Sequence, residues 1–313
     1  MHNWIRGAAI AIVASAVTAI VVSQMNRNPV AGQTPDTKFS RAADGKPNLN
    51  GIWQAVGTAH WDLQDHLARS GPVLELGAVG AVPAGQGVVE GNEIPYQPWA
   101  AAKKKENFDN WVTRDPEVKC YMPGVPRATY LPFPFQIVQT AGNVVMAYEY
   151  ASASRIIKIG KVDPAPVDTW MGQSAGSWEG DTLVVDVTSF NDQTWFDRAG
   201  NFHSEALHVV ERYTPVSPDV LDYQATIDDP KVFTRPWKIT VPLYRRLEPD
   251  AQVLDFRCIE QVEETIYGHL RKKALVTHWE GRTMNVDITR KIPPGEDVYQ
   301  RQWSGNPEDS EQK

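Results

Sequence analysis

The sequence predicts an all-β fold, an antiparallel meander closing into a lipocalin-like barrel, with one short helix and an apolar N-terminal helix. Two observations carry this. Strand-length apolar runs come in pairs around turn residues, as in Phe135 to Thr140, Ala141-Gly142-Asn143 and Val144 to Tyr150, which is the pattern of a hairpin. Between residues 207 and 262, runs of similar length are separated by Ser-Pro-Asp, Asp-Asp-Pro and Glu-Pro-Asp clusters, and such spacing favours successive antiparallel strands. Closure is preferred because it removes the exposed edges of so long a sheet. A β-sandwich is the alternative. A propeller ranks third, because only two copies of an internal repeat are present: Trp178 to Thr182 with Val185 to Thr188 recurs, partly altered, 101 residues later as Trp279 to Thr283 with Val286 to Thr289.

Taken in order, residues 1–25 read as a signal peptide or membrane anchor. Arg6 precedes an uncharged run from Gly7 to Ser23, at the short limit for spanning a bilayer and followed by small residues suited to cleavage. Residues 26–46, rich in Asn, Pro, Gly, Thr and Asp, read as a flexible tether. A single β domain is expected over 47–301. Within it, Gly71 to Pro98 reads as a long ordered loop and Trp99 to Trp111 as the helix, since no Gly or Pro interrupts its Ala and Lys residues. The remaining strands are expected at Thr182 to Val187, Leu207 to Thr214, Val220 to Ile227, Trp237 to Arg246, Val253 to Val262 and Thr283 to Thr289. Residues 302–313 are polar and read as a disordered tail.

A net charge of −7 with one short basic run, Lys103-Lys104-Lys105, excludes a nucleic-acid groove, which needs a concentrated positive field. Positive charge before the apolar run places the body in the periplasm or otherwise outside the cytoplasm, either free after cleavage or anchored to the inner membrane through the uncleaved segment, although Arg27, Lys38 and Arg41 on the far side oppose that orientation. Cys120 and Cys258 are the only cysteines. In an exported protein they are expected to form a disulfide, with two separately buried thiols as the alternative.

Pro47-Asn48-Leu49-Asn50-Gly51-Ile52-Trp53, Cys120 with Pro123 to Arg127, the block Ser177 to Asp186, the block His203 to Tyr213 and Thr226 to Pro230 together resemble a large family of exported bacterial proteins of mostly undescribed function. The resemblance covers most of the chain after the tether. It implies an exported, mostly β protein and assigns no catalytic residue.

The polar loop between two expected strands is where chemistry is expected. His203, Glu205, His208, Asp192 and Asp197 fall there, at a loop-to-strand transition of the kind that often holds functional groups. An imidazole oriented by a carboxylate is a fitting general base; the competing reading is that these groups brace loop backbone. From Leu207, alternation puts Leu207, Val209, Glu211 and Tyr213 on one face and His208, Val210 and Arg212 on the other. The spacing of His203, Glu205 and His208 does not match a helical zinc motif, and no metal is expected. Gly172 to Gly176 spells the nucleophile-elbow pattern around Ser174, but a strand and hairpin turn follow where a helix is required. No Rossmann fingerprint or P-loop is present, so no cofactor is expected. Arg127 and Arg212 are candidate anchors for developing negative charge, and Trp170, Trp178, Trp195 and Trp237, among 11 tryptophans, are candidates for an aromatic pocket wall, with an ordinary β core as the alternative.

These readings lead to an exported barrel that binds an apolar or aromatic small molecule and performs cofactor-free acid/base chemistry on it, such as isomerisation, cyclisation, elimination or hydrolysis. The alternative is a periplasmic binding or envelope-associated protein without turnover. A hollow interior favours the first, and a filled interior with backbone-braced histidines favours the second.

Overall fold

The computed structural model describes residues 39–71, 77, 80–260, 262, 266 and the backbone of 275–279 and 282–286. The expected signal or anchor, most of the tether and the expected tail lie outside the described residues. Among the described residues no helix is long and apolar enough to cross a membrane.

Nine strands close into one barrel in sequence order: β1 (Gly51–Ala55), β2 (Phe135–Gln139), β3 (Asn143–Tyr148), β4 (Ser154–Ile159), β5 (Gln173–Glu179), β6 (Thr182–Thr188), β7 (His208–Ser217), β8 (Val220–Asp228) and β9 (Trp237–Arg245). Closure comes from β1 pairing with β9, with Trp53 opposite Arg245 and Ala55 opposite Leu243. Alternation then decides the core. Val209, Glu211 and Tyr213 of β7, Leu221, Tyr223, Ala225 and Ile227 of β8, and Ile239, Val241 and Leu243 of β9 are buried, while the intervening residues are not. Together with Trp53, Phe135, Ile137, Met146, Tyr148, Ile157 and Val185, all of these but Glu211 form a continuous apolar cluster. The barrel interior is packed.

The meander departs from the expected pattern at one place. β4 and β5 run parallel, with Ile157 opposite Ser174 and Ile159 opposite Gly176, whereas the other neighbours are antiparallel. A parallel pair cannot be joined by a tight turn, because the chain must return to the starting end of the sheet. Residues 160–172 make that return, so this is a mixed barrel, unlike the up-and-down order of lipocalins. Gly176 allows the close approach at the seam: a Cβ there would lie 2.7 Å from Ile157 Cγ2 and 2.8 Å from Ile159 Cδ1.

Between residues 98 and 130, three α-helical segments occur where one was expected: α1 (Pro98–Asp109), α2 (Trp111–Arg114) and α3 (Arg127–Tyr130). The turn after α1 at Asn110 divides the predicted helix before Trp111, and α3 follows a cis Val125–Pro126 bond. The long loop before α1 is tied down, with Val89 bridging Ile239 and Tyr96 bridging Phe233. The end of the expected tether is also ordered: Arg41 bridges Pro47 and forms an ion pair with Asp181 at 2.8 Å. A strand expected from Val253 is absent over the described residues 253–260. That segment holds to the body by side chains instead, with Phe256 against Phe133 and Tyr150 and the Leu254 N–H donating to Glu149. The Cys120–Cys258 disulfide, with Cα atoms 5.8 Å apart, fixes its far end. At the second copy of the internal repeat, β10 (Leu275–Trp279) pairs antiparallel with β11 (Arg282–Val286), as β5 pairs with β6 at the first.

Candidate functional site

The five polar residues singled out by sequence do not converge. His203 is buried, its Nε2 2.6 Å from Thr194 Oγ1 and its Nδ1 2.8 Å from the Ser204 carbonyl oxygen, between the rings of Phe190 and Phe196. Burial holds its pKa below the usual imidazole value. Both ring nitrogens are engaged, so the ring braces the loop. Glu205 is exposed and pairs with Lys231, and Asp192 is exposed and accepts from Gln193. His208 faces outward from β7, 2.9 Å from Asp186 on β6. Asp197 is fully buried and accepts from the N–H groups of Leu63 and Asn201. Burial, with the Asp62 carboxylate nearby, pushes its pKa up to about 7.

The predicted binding residues are equally dispersed. Arg127 is spent on an internal ion cluster: its terminal nitrogens donate to Asp115 at 2.7 and 2.9 Å and to Glu117 at 2.6 Å. Arg198 meets the other side of Glu117 and lies over the rings of Trp61 and Trp111. Burial opposes the charge on Glu117, but Arg198 and Arg127 outweigh it and hold the carboxyl at about 2. Arg212 is on the outer face, paired with Glu179. Trp178 packs at the margin of the core with Lys46 over its ring, and Trp195 forms a bridge with Phe202. Trp237 packs against Phe196 and Phe233 and lines a cavity of about 260 Å³ with Glu90, Arg235 and Lys238.

A larger cavity, about 500 Å³, lies over the parallel seam. It exists because the 160–172 return bows over β4 and β5, and that return supplies Val162, Ala165, Thr169, Trp170 and Met171 to its wall, facing Arg155, Ile156 and Lys158 of β4 and Gln173 and Ser174 of β5. Of the residues that the sequence suggests for binding or catalysis, Trp170 and Ser174 line it and the others do not. Trp170 is held by an edge contact with Tyr121, ring centroids 5.0 Å apart.

Arg155 joins this cavity to the barrel interior. It shares the inward face of β4 with Ile157, and its side chain is only 2 % exposed. Its Nη2 donates to Glu211 Oε2 at 2.6 Å and to Ser174 Oγ at 3.0 Å. The other Glu211 oxygen accepts from the hydroxyls of Tyr213 at 2.9 Å and Tyr223 at 2.8 Å. Burial pushes both phenols well above their usual pKa, and the adjacent Glu211 charge adds to it. Burial disfavours the Arg155 charge too, yet Glu211 keeps that guanidinium firmly protonated. Its Nε and Nη1 are buried and have no hydrogen-bond partner. Leaving a buried donor unpaired costs about 1–3 kcal/mol, and these N–H groups lie inside the barrel near the Tyr148 hydroxyl.

Ser174, the centre of the apparent nucleophile elbow, lies within β5 and accepts from Arg155. The required strand-to-helix turn is absent here. Among the described residues no group of three His, Cys, Asp or Glu side chains is placed to hold a metal ion. Comparison with protein-family models, curated proteins and solved structures yields no match.

Proposed function

We propose that this chain is a binding barrel that takes a small apolar or aromatic molecule into the seam cavity. The observation that carries the reading is the cavity itself: its volume falls within the range of small-molecule sites, and its walls combine Met122, Ile156, Val162, Trp170 and Met171 with a few polar groups. Binding is favoured over acid/base turnover by the packed interior and by His203, whose two nitrogens are already engaged. Proton transfer by His203, Glu205, His208, Asp192 and Asp197 acting together would require groups that lie on separate faces to meet. An extracytoplasmic location, and membership of the exported family that the sequence motifs resemble, belong to the same proposal. The Cys120–Cys258 bridge supports them, since disulfides persist in oxidising compartments.

The test is a fluorescence titration with N-phenylnaphthylamine, an uncharged aromatic probe that brightens in apolar surroundings. Saturable binding at one site per chain is expected, weakened about tenfold or more in Ala165→Trp, which fills the cavity from its partly exposed wall. Absence of saturable binding, or unchanged binding in Ala165→Trp, would refute the proposal.

A further inference from the structure

We infer that the Cys120–Cys258 bridge is a thiol-exchange site that governs the seam cavity: opening it releases residues 253–258 from the barrel and weakens binding of the molecule held there; this rests on the cavity being the binding site.

The bridge and the segment that ends in it act on two walls of the cavity. On one side, Cys120 leads directly into Tyr121 and Met122; Met122 lines the cavity, and Tyr121 holds Trp170, another wall residue, by its edge contact. On the other, Phe256 packs on Tyr150 with ring centroids 4.9 Å apart, and the Leu254 N–H donates to Glu149 at 3.0 Å. From Tyr150 the chain turns through Ala151 into Ser152 and Ser154, which also line the cavity. Both attachments fall on backbone that must be held. Of the five non-glycine residues with positive φ among the described residues, Cys120 (+58°), Ala151 (+55°) and Ser152 (+49°) sit here, and such conformations persist where surrounding contacts impose them. Residues 253–258 form no strand, so the covalent link is their firmest hold. That link is open to attack: Cys258 is exposed and Cys120 partly so, and thiol exchange requires access to a sulfur. A thiolate of a dithiol attacks Cys258 Sγ, the S–S bond breaks, and Cys120 leaves as a thiolate. The reagent's second sulfur then displaces Cys258 and closes the reagent's own disulfide, so two electrons and two protons pass from the dithiol to the two cysteines.

The test is a set of N-phenylnaphthylamine titrations of the full chain, oxidised, reduced with dithiothreitol and reoxidised. Hydrogen exchange of β7 and β8 reports whether the barrel stays folded. The reduced protein, its barrel still protected, is expected to bind at least about tenfold more weakly than the oxidised one, and reoxidation to restore the affinity. Should reduction unfold the barrel, Phe256→Ala decides. It frees the same segment from Tyr150 with the bridge closed, and is expected to weaken binding about threefold or more, the scale of one aromatic contact. Unchanged affinity in reduced, folded protein, or in Phe256→Ala where reduction unfolds the barrel, would overturn the inference while the cavity reading stands. Absence of binding to the oxidised protein would remove both.

Discussion

Replacing Glu211 by Met removes the one anion that serves three donors inside the barrel. In the wild type its two oxygens accept from Arg155, Tyr213 and Tyr223, all over 2.6–2.9 Å, at full burial. Breaking a buried ion pair from one side costs about 3–5 kcal/mol, because the remaining charge is left uncompensated. The two phenol hydroxyls then lose their acceptor, adding about 1 kcal/mol each at the low end of the desolvation penalty. The expected loss is therefore about 5–7 kcal/mol, comparable with the whole stability of an ordinary domain. Arg155→Met is expected to cost less, about 2–3 kcal/mol, because Glu211 keeps both tyrosine donors. The double variant removes both charges and fills their volume with apolar atoms, a change that is often neutral or stabilising apart from the orphaned hydroxyls. It should be more stable than Glu211→Met alone by several kcal/mol. Urea unfolding of the four proteins, with equal slopes required before midpoints are compared, measures the cycle. A Glu211→Met loss below about 1 kcal/mol, or a double variant no more stable than Glu211→Met, would refute the reasoning.

Three further outcomes are expected. Reducing the Cys120–Cys258 bridge, which spans 138 residues, should lower stability by about 5 kcal/mol in the chain-entropy model, read from urea midpoints with and without reductant. Gly124→Ala should cost at least about 2 kcal/mol, because Gly124 has φ +72° and a Cβ there would meet Thr194 at 2.5 Å, the residue that braces His203; thermal melting of the variant checks this. Asp197, with its folded pKa raised to about 7 from an ordinary value of 3.8, favours the fold when protonated. Its contribution is complete below about pH 4 and is lost as pH rises through about 7, a change on the order of 4 kcal/mol. Urea unfolding at pH 4, 5.5 and 7 should show the wild type losing stability relative to Asp197→Asn, and parallel pH profiles would contradict it.

The parts of the fold that sequence reveals are those governed by local pattern. Alternation along 207–213 assigns Glu211 and Tyr213 to one face and His208 and Arg212 to the other, and β7 follows it, with the first set inside. Turn chemistry marks the hairpins β2–β3 and β5–β6. The parallel seam has no such signature, because a return made of Pro, Asp and Val without a helical period looks like any surface loop. The site was hidden for a related reason. Arg155 meets Glu211 across 56 positions of sequence, and only barrel closure makes them neighbours. One local signal was available: Arg155 shares a face with Ile157 in Ser154 to Ile159, which places a cation where the strand otherwise points inward. The histidine loop misled by composition. Its polar groups are numerous because Asp197, His203 and Asp229 satisfy the backbone of Leu63, Asn201 and Ser204 while Thr194 meets the His203 ring, and composition cannot distinguish a satisfied group from a free one.

The join between β1 and β9 has a consequence for synthesis. Trp53 is made early, yet the strand that completes its sheet ends at Arg245, so nearly two hundred intervening positions must emerge before the ring can shut. Until then the growing chain is at most a curved ribbon with two sticky borders, each offering unpaired amides to any neighbour. Long-range pairing of this kind is slow to form. A ribosome-bound chain stalled short of residue 237 should therefore expose those borders to holding chaperones or to another nascent copy, and release past residue 245 should end that exposure in a single step.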